Sequence, residues 1–433
     1  MFKVFKDKRH FIEFCCGLAL ILAMILFVTF RYDATKQASM FLRMLAGSII
    51  GYGLARAAFG FAGSVNRSYN TGSTKLMKAL AVLFLLGAIV TFFAVLGGKL
   101  PSSLSHNALN YGLIVGATLF GFGMAFTVCC ASGVLTDLAE SPLKALTVLF
   151  FFCGGAFLGL GLKKQSWMEW YKKPIFGIEG FKDGVNFTDM ISSKENPNLF
   201  GSALIGLLFT AILVAVVIVL ADLYERRRKA KGTYVGCGSE IAQEEEAATH
   251  IKDENAGVEL FYTTFVKPWS LMKGAVVIAL GYAVLMFGLK SGWVVSGPLG
   301  QWFARLIHLF GVSAESIKNF SGVDVTTKFF DQAMYIQDLS IFLGALIAFL
   351  LAGNFTRNVK SWLFNPLEII LYAVGGILLG IAINIAGGCN AGGLFTPIAQ
   401  FSLSGWIYLV CIIIGGFAGN FVRKHFLKVC KIQ

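Results

Sequence analysis

Two stretches hold the residues whose types and spacing suit chemistry. "GFGMAFTVCCASG", residues 121–133, contains Cys129 and Cys130, and "GIAINIAGGCNAGG", residues 380–393, contains Cys389. Sliding Cys130 onto Cys389 also places Gly121 on Gly380, Gly116 on Gly375, Gly133 on Gly392 and Leu135 on Leu394. One pattern, Gly to Cys in nine residues and Cys to Gly in three, is thus written once in each half of the chain. A thiol is a weak hydrogen-bond donor and a soft, polarisable contact. It suits a sulfur- or selenium-bearing anion better than a hard oxyanion such as phosphate. A soft metal and a redox thiol pair are the alternatives, the metal the weaker because no His accompanies either cysteine. Cys129 adjoins Cys130, and on a helix the two side chains would point about 100° apart, which makes Cys129 a neighbour rather than a second ligand.

Gly121, Gly123, Gly375, Gly376, Gly380, Gly387 and Gly388 permit close helix packing, which small residues do without any ligand. The polar tails "CCASGVLTD" and "GCNAGGLFTP", with Pro142 and Pro397 downstream, predict helices that stop before crossing fully and turn back. Bare backbone amides at membrane depth are tolerated only against protein or an aqueous cavity. A cavity lined by amides and helix N-termini favours anions. Arg56, in "GYGLARAAFGFAG", is an ionisable residue within an apolar run and so a functional candidate; snorkelling to the inner surface is its plainer role. Asp137 and Glu140 follow the first break and could steer protons, although loop carboxylates are commoner. Cys15, Cys16, Cys153, Cys411 and Cys430 read as small buried hydrophobes.

These motifs sit in 433 residues with mean hydropathy +0.71, 56% hydrophobic and only 14% charged, a balance that points to a polytopic membrane protein. Runs at 11–30, 76–98, 143–162, 199–221, 269–289, 336–353, 366–388 and 403–422 can each cross roughly 30 Å of hydrocarbon as a helix. More polar candidates lie at 39–63 and 110–135. The fold class expected is therefore all-α and polytopic, with about ten transmembrane segments. The first run lacks a small-residue cleavage site and reads as a retained span rather than a signal peptide. Most of the nine Cys fall in apolar runs, against a disulfide framework.

"KVFKDKRH" at the start, "RRRKAK" at 226–231, "RNVK" at 357–360 and "RKHFLK" at 423–428 all become cytoplasmic when ten spans are counted, both termini included. Residues 163–198 and 311–335 then lie outside. Residues 223–268, charged and without apolar period, read as a cytoplasmic linker between membrane halves 1–222 and 269–433. In this topology the spans carrying Cys130 and Cys389 run in opposite directions. Two inverted repeats with Gly/Cys-rich re-entrant or broken helices are the layout of secondary transporters, with substrate near the midplane where the repeats meet. The net charge of +13 is what cytoplasmic loops give and requires no nucleic acid. No G-x-x-x-x-G-K-[ST] or H-E-x-x-H motif occurs, no cofactor is implied, and the chain reads as a non-enzyme.

The two cysteine stretches, together with "GGILLGIAINIAGGCNAGGLFTPIAQFSLSGW" and "GPLGQWFARLIHLFGVSAES" at 297–316, resemble the paired signatures of the YeeE/YedE family of sulfur-compound transporters, most like its selenium-metabolism branch. The resemblance implies a bacterial inner-membrane uptake protein in which cysteines near the midplane pass the anion along by weak thiol hydrogen bonds. By motif match that role falls to Cys130 and Cys389, beside Cys129. Gly121, Gly123, Gly133, Gly380, Gly388 and Gly392, with Asn390, would line the narrow passage. "GLKSGWVVSGPLG" offers Ser291 and Ser296 where a three-cysteine relay would need a thiol. The expected partners are a small selenium or sulfur anion, the lipid bilayer and a cytoplasmic sulfur- or selenium-handling protein. Two rival readings are a non-transporting membrane subunit that docks a redox or selenium-delivery enzyme through 223–268, and a membrane thiol enzyme using Cys129 and Cys130.

Overall fold

The computed structural model describes residues 5, 7–98, 104, 107–190, 199–249, 255–355 and 366–425. Within them ten helical segments are long and apolar enough to cross a membrane, and they coincide with the ten runs read from the sequence. No β-strand forms among the described residues; two isolated bridges, Asn110 with Pro174 and Asn186 with Ser402, tie loops to helix ends.

The first half comprises α1 (Lys8–Arg31), α2 (Ala34–Arg56), α3 (Phe61–Thr71), α4 (Lys75–Leu96), α5 (Tyr111–Thr127), α6 (Ala131–Glu140) and α7 (Pro142–Leu162). Then come α8 (Leu199–Ala230), α9 (Gly238–Thr249), α10 (Ala256–Phe261) and α11 (Leu271–Ala283), which a π-helical turn extends to Gly288. The remainder is α12 (Gly297–Leu309), α13 (Ala314–Ser321), α14 (Ala333–Leu351), α15 (Pro366–Ile385), a π-helical turn Asn390–Phe395 running into α16 (Thr396–Ala399), and α17 (Leu403–His425). Local sequence starts several of these. Asp7, Asp33, Asn110 and Ser270 each accept a first-turn N–H, and Pro142 and Pro298 stand where a proline costs no hydrogen bond.

Matching α1 through α7 in order with α8, α11, α12, α14, α15, α16 and α17 exchanges the helix contacts. Where α7 packs on α15, α5 packs on α17; where α6 packs on α14, α16 packs on α4; where α12 packs on α7, α3 packs on α17. Backbones meet closely in these contacts. A Cβ on Gly415 would lie 1.9 Å from the Thr118 carbonyl oxygen, and one on Gly155 2.4 Å from that of Ile377. Four membrane-spanning runs among the described residues break in one manner, through a left-handed residue ahead of a short helix: at Ala58 (φ 46°), Val128 (59°), Lys290 (51°) and Gly387 (78°).

The described residues of 223–249 and 255–268 hold more regular structure than their charge pattern predicts. α8 continues to Ala230, and the following chain folds onto the corner between α3 and α4. The N–H groups of Val235 and Gly236 donate to the Thr71 carbonyl at 2.8 and 3.2 Å. Glu240 accepts from Ser73 at 2.6 Å and from Arg67 at 3.1 Å, and Glu225 accepts from Thr74 at 2.7 Å. The run 357–360 and the tail beyond 425 lie outside the described residues.

Candidate functional site

Both sequence-selected cysteines sit at the head of a helix. Val128 ends α5 in the left-handed region, and Cys130, extended at φ −126° and ψ −173°, immediately precedes α6. Gly387 and Gly388, at φ 78° and 155°, carry the chain out of α15, and Cys389, at φ −97° and ψ −169°, precedes the turn 390–395. Unpaired N–H groups of a first turn therefore lie just ahead of each thiol. The first break doubles the chain back. Phe126 packs with Leu371 and Val422, whereas Cys130 faces Tyr408, fourteen residues or roughly 21 Å along α17 from Val422.

The two thiols are neighbours. Cys389 Sγ lies close to the N–H groups of Ala391 and Gly392 and to the Ser296 side chain, and within electrostatic reach of Cys130. Tyr408 is within electrostatic reach of both cysteines and donates its hydroxyl to the Gly388 carbonyl at 3.1 Å. Cys130 Sγ is 3.5 Å from the Ser132 hydroxyl. Asn390 Nδ2 donates to Met124 Sδ at 3.2 Å, while its buried Oδ1 has no partner. Met124 in turn accepts, at its carbonyl, from Asn66 at 3.2 Å, and Asn420 links Asn66 to Asn70 at 2.7 and 2.9 Å. Amides thus continue from the thiols toward the opposite end of the bundle.

A cavity of about 600 Å³ reaches this site from the side of loops 163–190 and 311–335; Lys163, Ser296, Gln301, Asn384, Gly387 and Gly388 are among its walls. It ends at Ser296 and Gly388, the residues that bracket Cys389. The first turn of α12 opens on it, at the positive end of a 13-residue helix. Partial burial, and then the neighbouring Lys172, lower the Lys163 pKa from the ordinary lysine range. A mouth that carries Lys163 and Asp324 and narrows to amides and thiols can admit an anion, strip its water and bind it through soft contacts. Among the described residues, no three His, Cys, Asp or Glu side chains gather as a metal site requires.

The other sequence candidates divide. Gly133, Gly388, Asn390 and Gly392 gather at the cysteines; a Cβ on Gly133 would meet Cys130 Sγ at 3.4 Å. Gly121, Gly123 and Gly380 lie instead in helix contacts, where an added Cβ would stand 2.4 Å from the Ile412 carbonyl oxygen, 3.0 Å from that of Gly375 and 2.3 Å from the Ala156 nitrogen. Cys129 faces the Asp137–Lys144 pair, whose charged atoms are 3.6 Å apart. Arg56 belongs to a separate cluster, where its guanidinium donates to the Lys267 carbonyl at the end of the linker. Sequence reasoning passed over Lys163, Asn384, Met124, Asn66 and Tyr408. Asn384, an amide inside an apolar run, carried a readable signal; Tyr408 carried none.

Against known proteins, the family model described as "Sulphur transport" matches residues 56–418. The thiosulfate transporter TsuA of Spirochaeta thermophila is 24% identical over 376 residues, 86% of this chain and 95% of that protein. TsuA of Escherichia coli K12 is 20% identical over 376 residues, 86% of this chain and 91% of its own length. The E. coli K12 protein named "Probable transporter YedE" is 30% identical over 155 residues, 36% of this chain and 38% of that protein.

Proposed function

The chain belongs to the sulphur-transport family, and on that premise we propose that it imports a small sulfur anion of the thiosulfate kind, handing it from Cys389 to Cys130. The observation that carries this reading is the pair of neighbouring thiols, each heading a broken helix, at the foot of an open, lysine-lined cavity. The TsuA relatives, which span most of the chain, support the substrate class.

The basic run 226–231 fixes the inner face. The cavity then opens outward, and both termini are cytoplasmic in a bacterial inner membrane. Lys163 and the start of α12 attract the anion. Ser296 and the N–H groups of Ala391 and Gly392 replace part of its water. Each thiol donates one weak bond, tight enough to hold the anion and loose enough to release it. Asn66, Asn70 and Asn420 receive it on the inner side. Five crossings within 8–162 and five more within 199–425 invert the second set relative to the first, so each supplies one thiol. Ser296 stands where a third thiol would extend the relay, which leaves two cysteine steps and a hydroxyl. A selenium-bearing analogue is a second substrate, because the same soft contacts serve it. The docking role for 223–268 gains no support, since Glu225 and Glu240 are turned onto the chain's own α3–α4 corner.

Uptake of labelled thiosulfate and selenite into liposomes holding the purified protein tests this. A hydrogen bond to a charged group is worth about 1.5–3 kcal/mol, so Cys389→Ala or Cys130→Ala slows uptake roughly tenfold to a hundredfold, and Cys389→Ser less. Normal uptake by correctly inserted alanine variants removes the thiol step. A wild-type protein that moves neither anion removes the substrate class.

A further inference from the structure

α14 carries a carboxyl group that the pathway does not use. Asp338 is 0% exposed, and neither of its oxygens has a hydrogen-bond partner. The charged or titratable groups that reach it are Arg43 from α2 and the Cys153 thiol from α7. Among the described residues, α1, α6, α12 and the turns Tyr262–Val266 and Phe329–Asp331, which also pack on this helix, bring none into electrostatic contact with it. A bare carboxylate in such a place is costly. This conformation therefore accommodates the protonated acid, and the carboxylate requires Arg43 to be brought to it.

Arg43 is engaged elsewhere, and its engagement leads to the thiols. Its guanidinium donates to Gln337 Oε1 at 3.0 Å and to Met334 Sδ at 3.4 Å. Gln337 Nε2 donates to the Val294 carbonyl at 2.8 Å. Val294 lines the cavity and lies 3.4 Å from where a Cβ on Gly392 would stand. Two residues further on, Ser296 contacts Cys389.

We propose that Asp338 is the proton-binding site that couples inward movement of the anion to inward movement of a proton. The inference rests on the transport reading above. An anion entering an inside-negative cell moves against the membrane potential, and a co-transported proton offsets one charge. With the proton on Asp338, Arg43 holds Gln337 and, through it, segment 291–296 against the thiol site. When the proton leaves Asp338, the carboxylate draws Arg43 away from Gln337 Oε1. Gln337 is released and with it the wall beside Cys389. One proton is bound and released per cycle, and no covalent bond to carbon or sulfur changes.

The test uses the full chain in liposomes with labelled thiosulfate, a trapped pH dye and the voltage clamped by potassium and valinomycin. An outside-acid gradient of one pH unit raises wild-type accumulation up to tenfold, about 1.4 kcal/mol for one proton, and uptake acidifies the interior. Asp338→Asn loses both responses, while thiosulfate exchange at equal pH stays within about threefold of wild type, a difference under 0.7 kcal/mol. Wild-type uptake without interior acidification overturns the proposal whatever the variant does, as does an Asp338→Asn protein that keeps the gradient response. Wild-type protein that moves no thiosulfate at any pH overturns the transport reading and this inference with it.

Discussion

Gly388→Ala and Gly387→Ala form a pair that separates backbone strain from damage to the site. At Gly387 (φ 78°) an added Cβ would meet nothing within 4 Å. Alanine there costs only the left-handed penalty, about 1–2 kcal/mol, and leaves Cys389 in place. At Gly388 (φ 155°) a Cβ would stand 2.7 Å from the Gly393 nitrogen and 3.0 Å from the Gly392 carbonyl carbon. The Gly393 N–H donates to the Cys389 carbonyl at 2.6 Å, and the Gly388 carbonyl accepts from Tyr408. Neither backbone partner is the flexible end of a side chain, so both must shift. Strain of about 1–3 kcal/mol adds to overpacking of a similar size, and relief comes from rotating Cys389 away from Ser296 and the first-turn amides. The expected result is uptake reduced at least tenfold for Gly388→Ala, equivalent to about 1.4 kcal/mol, and within about threefold of wild type for Gly387→Ala. The assay is initial uptake of labelled thiosulfate at matched amounts of inserted protein, with thermal stability in detergent measured beside it. If Gly388→Ala transports normally, or Gly387→Ala proves the worse of the two, the glycine does not hold the thiol in position.

On the proposed pathway Lys163 attracts the anion only while charged, and its lowered pKa means that charge is lost as pH rises through a value below the usual lysine range. The KM for thiosulfate exchange, measured at equal pH on both sides, should therefore climb on the alkaline limb; Lys163→Gln should raise KM severalfold at neutral pH and flatten that limb. Glu240→Ala leaves the Ser73 hydroxyl and the Arg67 guanidinium without their carboxylate, a loss of about 1–3 kcal/mol, read as faster proteolysis within 238–249 while uptake continues. Gly415→Val places a branched side chain on the Thr118 carbonyl, where even a Cβ would be 1.9 Å away; the yield of folded protein should collapse, and a normal yield would refute the close α5–α17 approach.

The ten crossings were legible because an apolar run of sufficient length has few alternatives to a membrane helix. Cys130 and Cys389 were legible because the glycine spacing around one repeats around the other. The left-handed breaks at Ala58, Val128 and Lys290 were not, since in a sequence only Gly and Asn advertise that conformation. Glu225 and Glu240 look like solvated charges, and only the fold shows them turned onto Thr74 and Ser73. Lys163 comes to the cavity and Tyr408 to the neighbourhood of the thiols from segments far away in sequence, so no local pattern could have joined them. Gly121, Gly123 and Gly380 carry the same spacing signal as Gly133 and Gly388. Which of them meets a neighbouring helix and which meets the cavity is decided by the rotation of each helix, and that is set by packing.

The two breaks reach one geometry by different means, and this bears on how the protein is assembled. Gly387 and Gly388 adopt positive φ at no steric cost, so the bend after α15 is present in the newly made chain. Val128 is β-branched and resists the conformation it holds. Alone, residues 111–140 would enter the bilayer as one straight rod; neighbours packed around α5, many from the later-synthesised half, must force the bend. The bend at Val128 is therefore expected to form only once the second half has been made, which the order of protease protection in truncated chains would show.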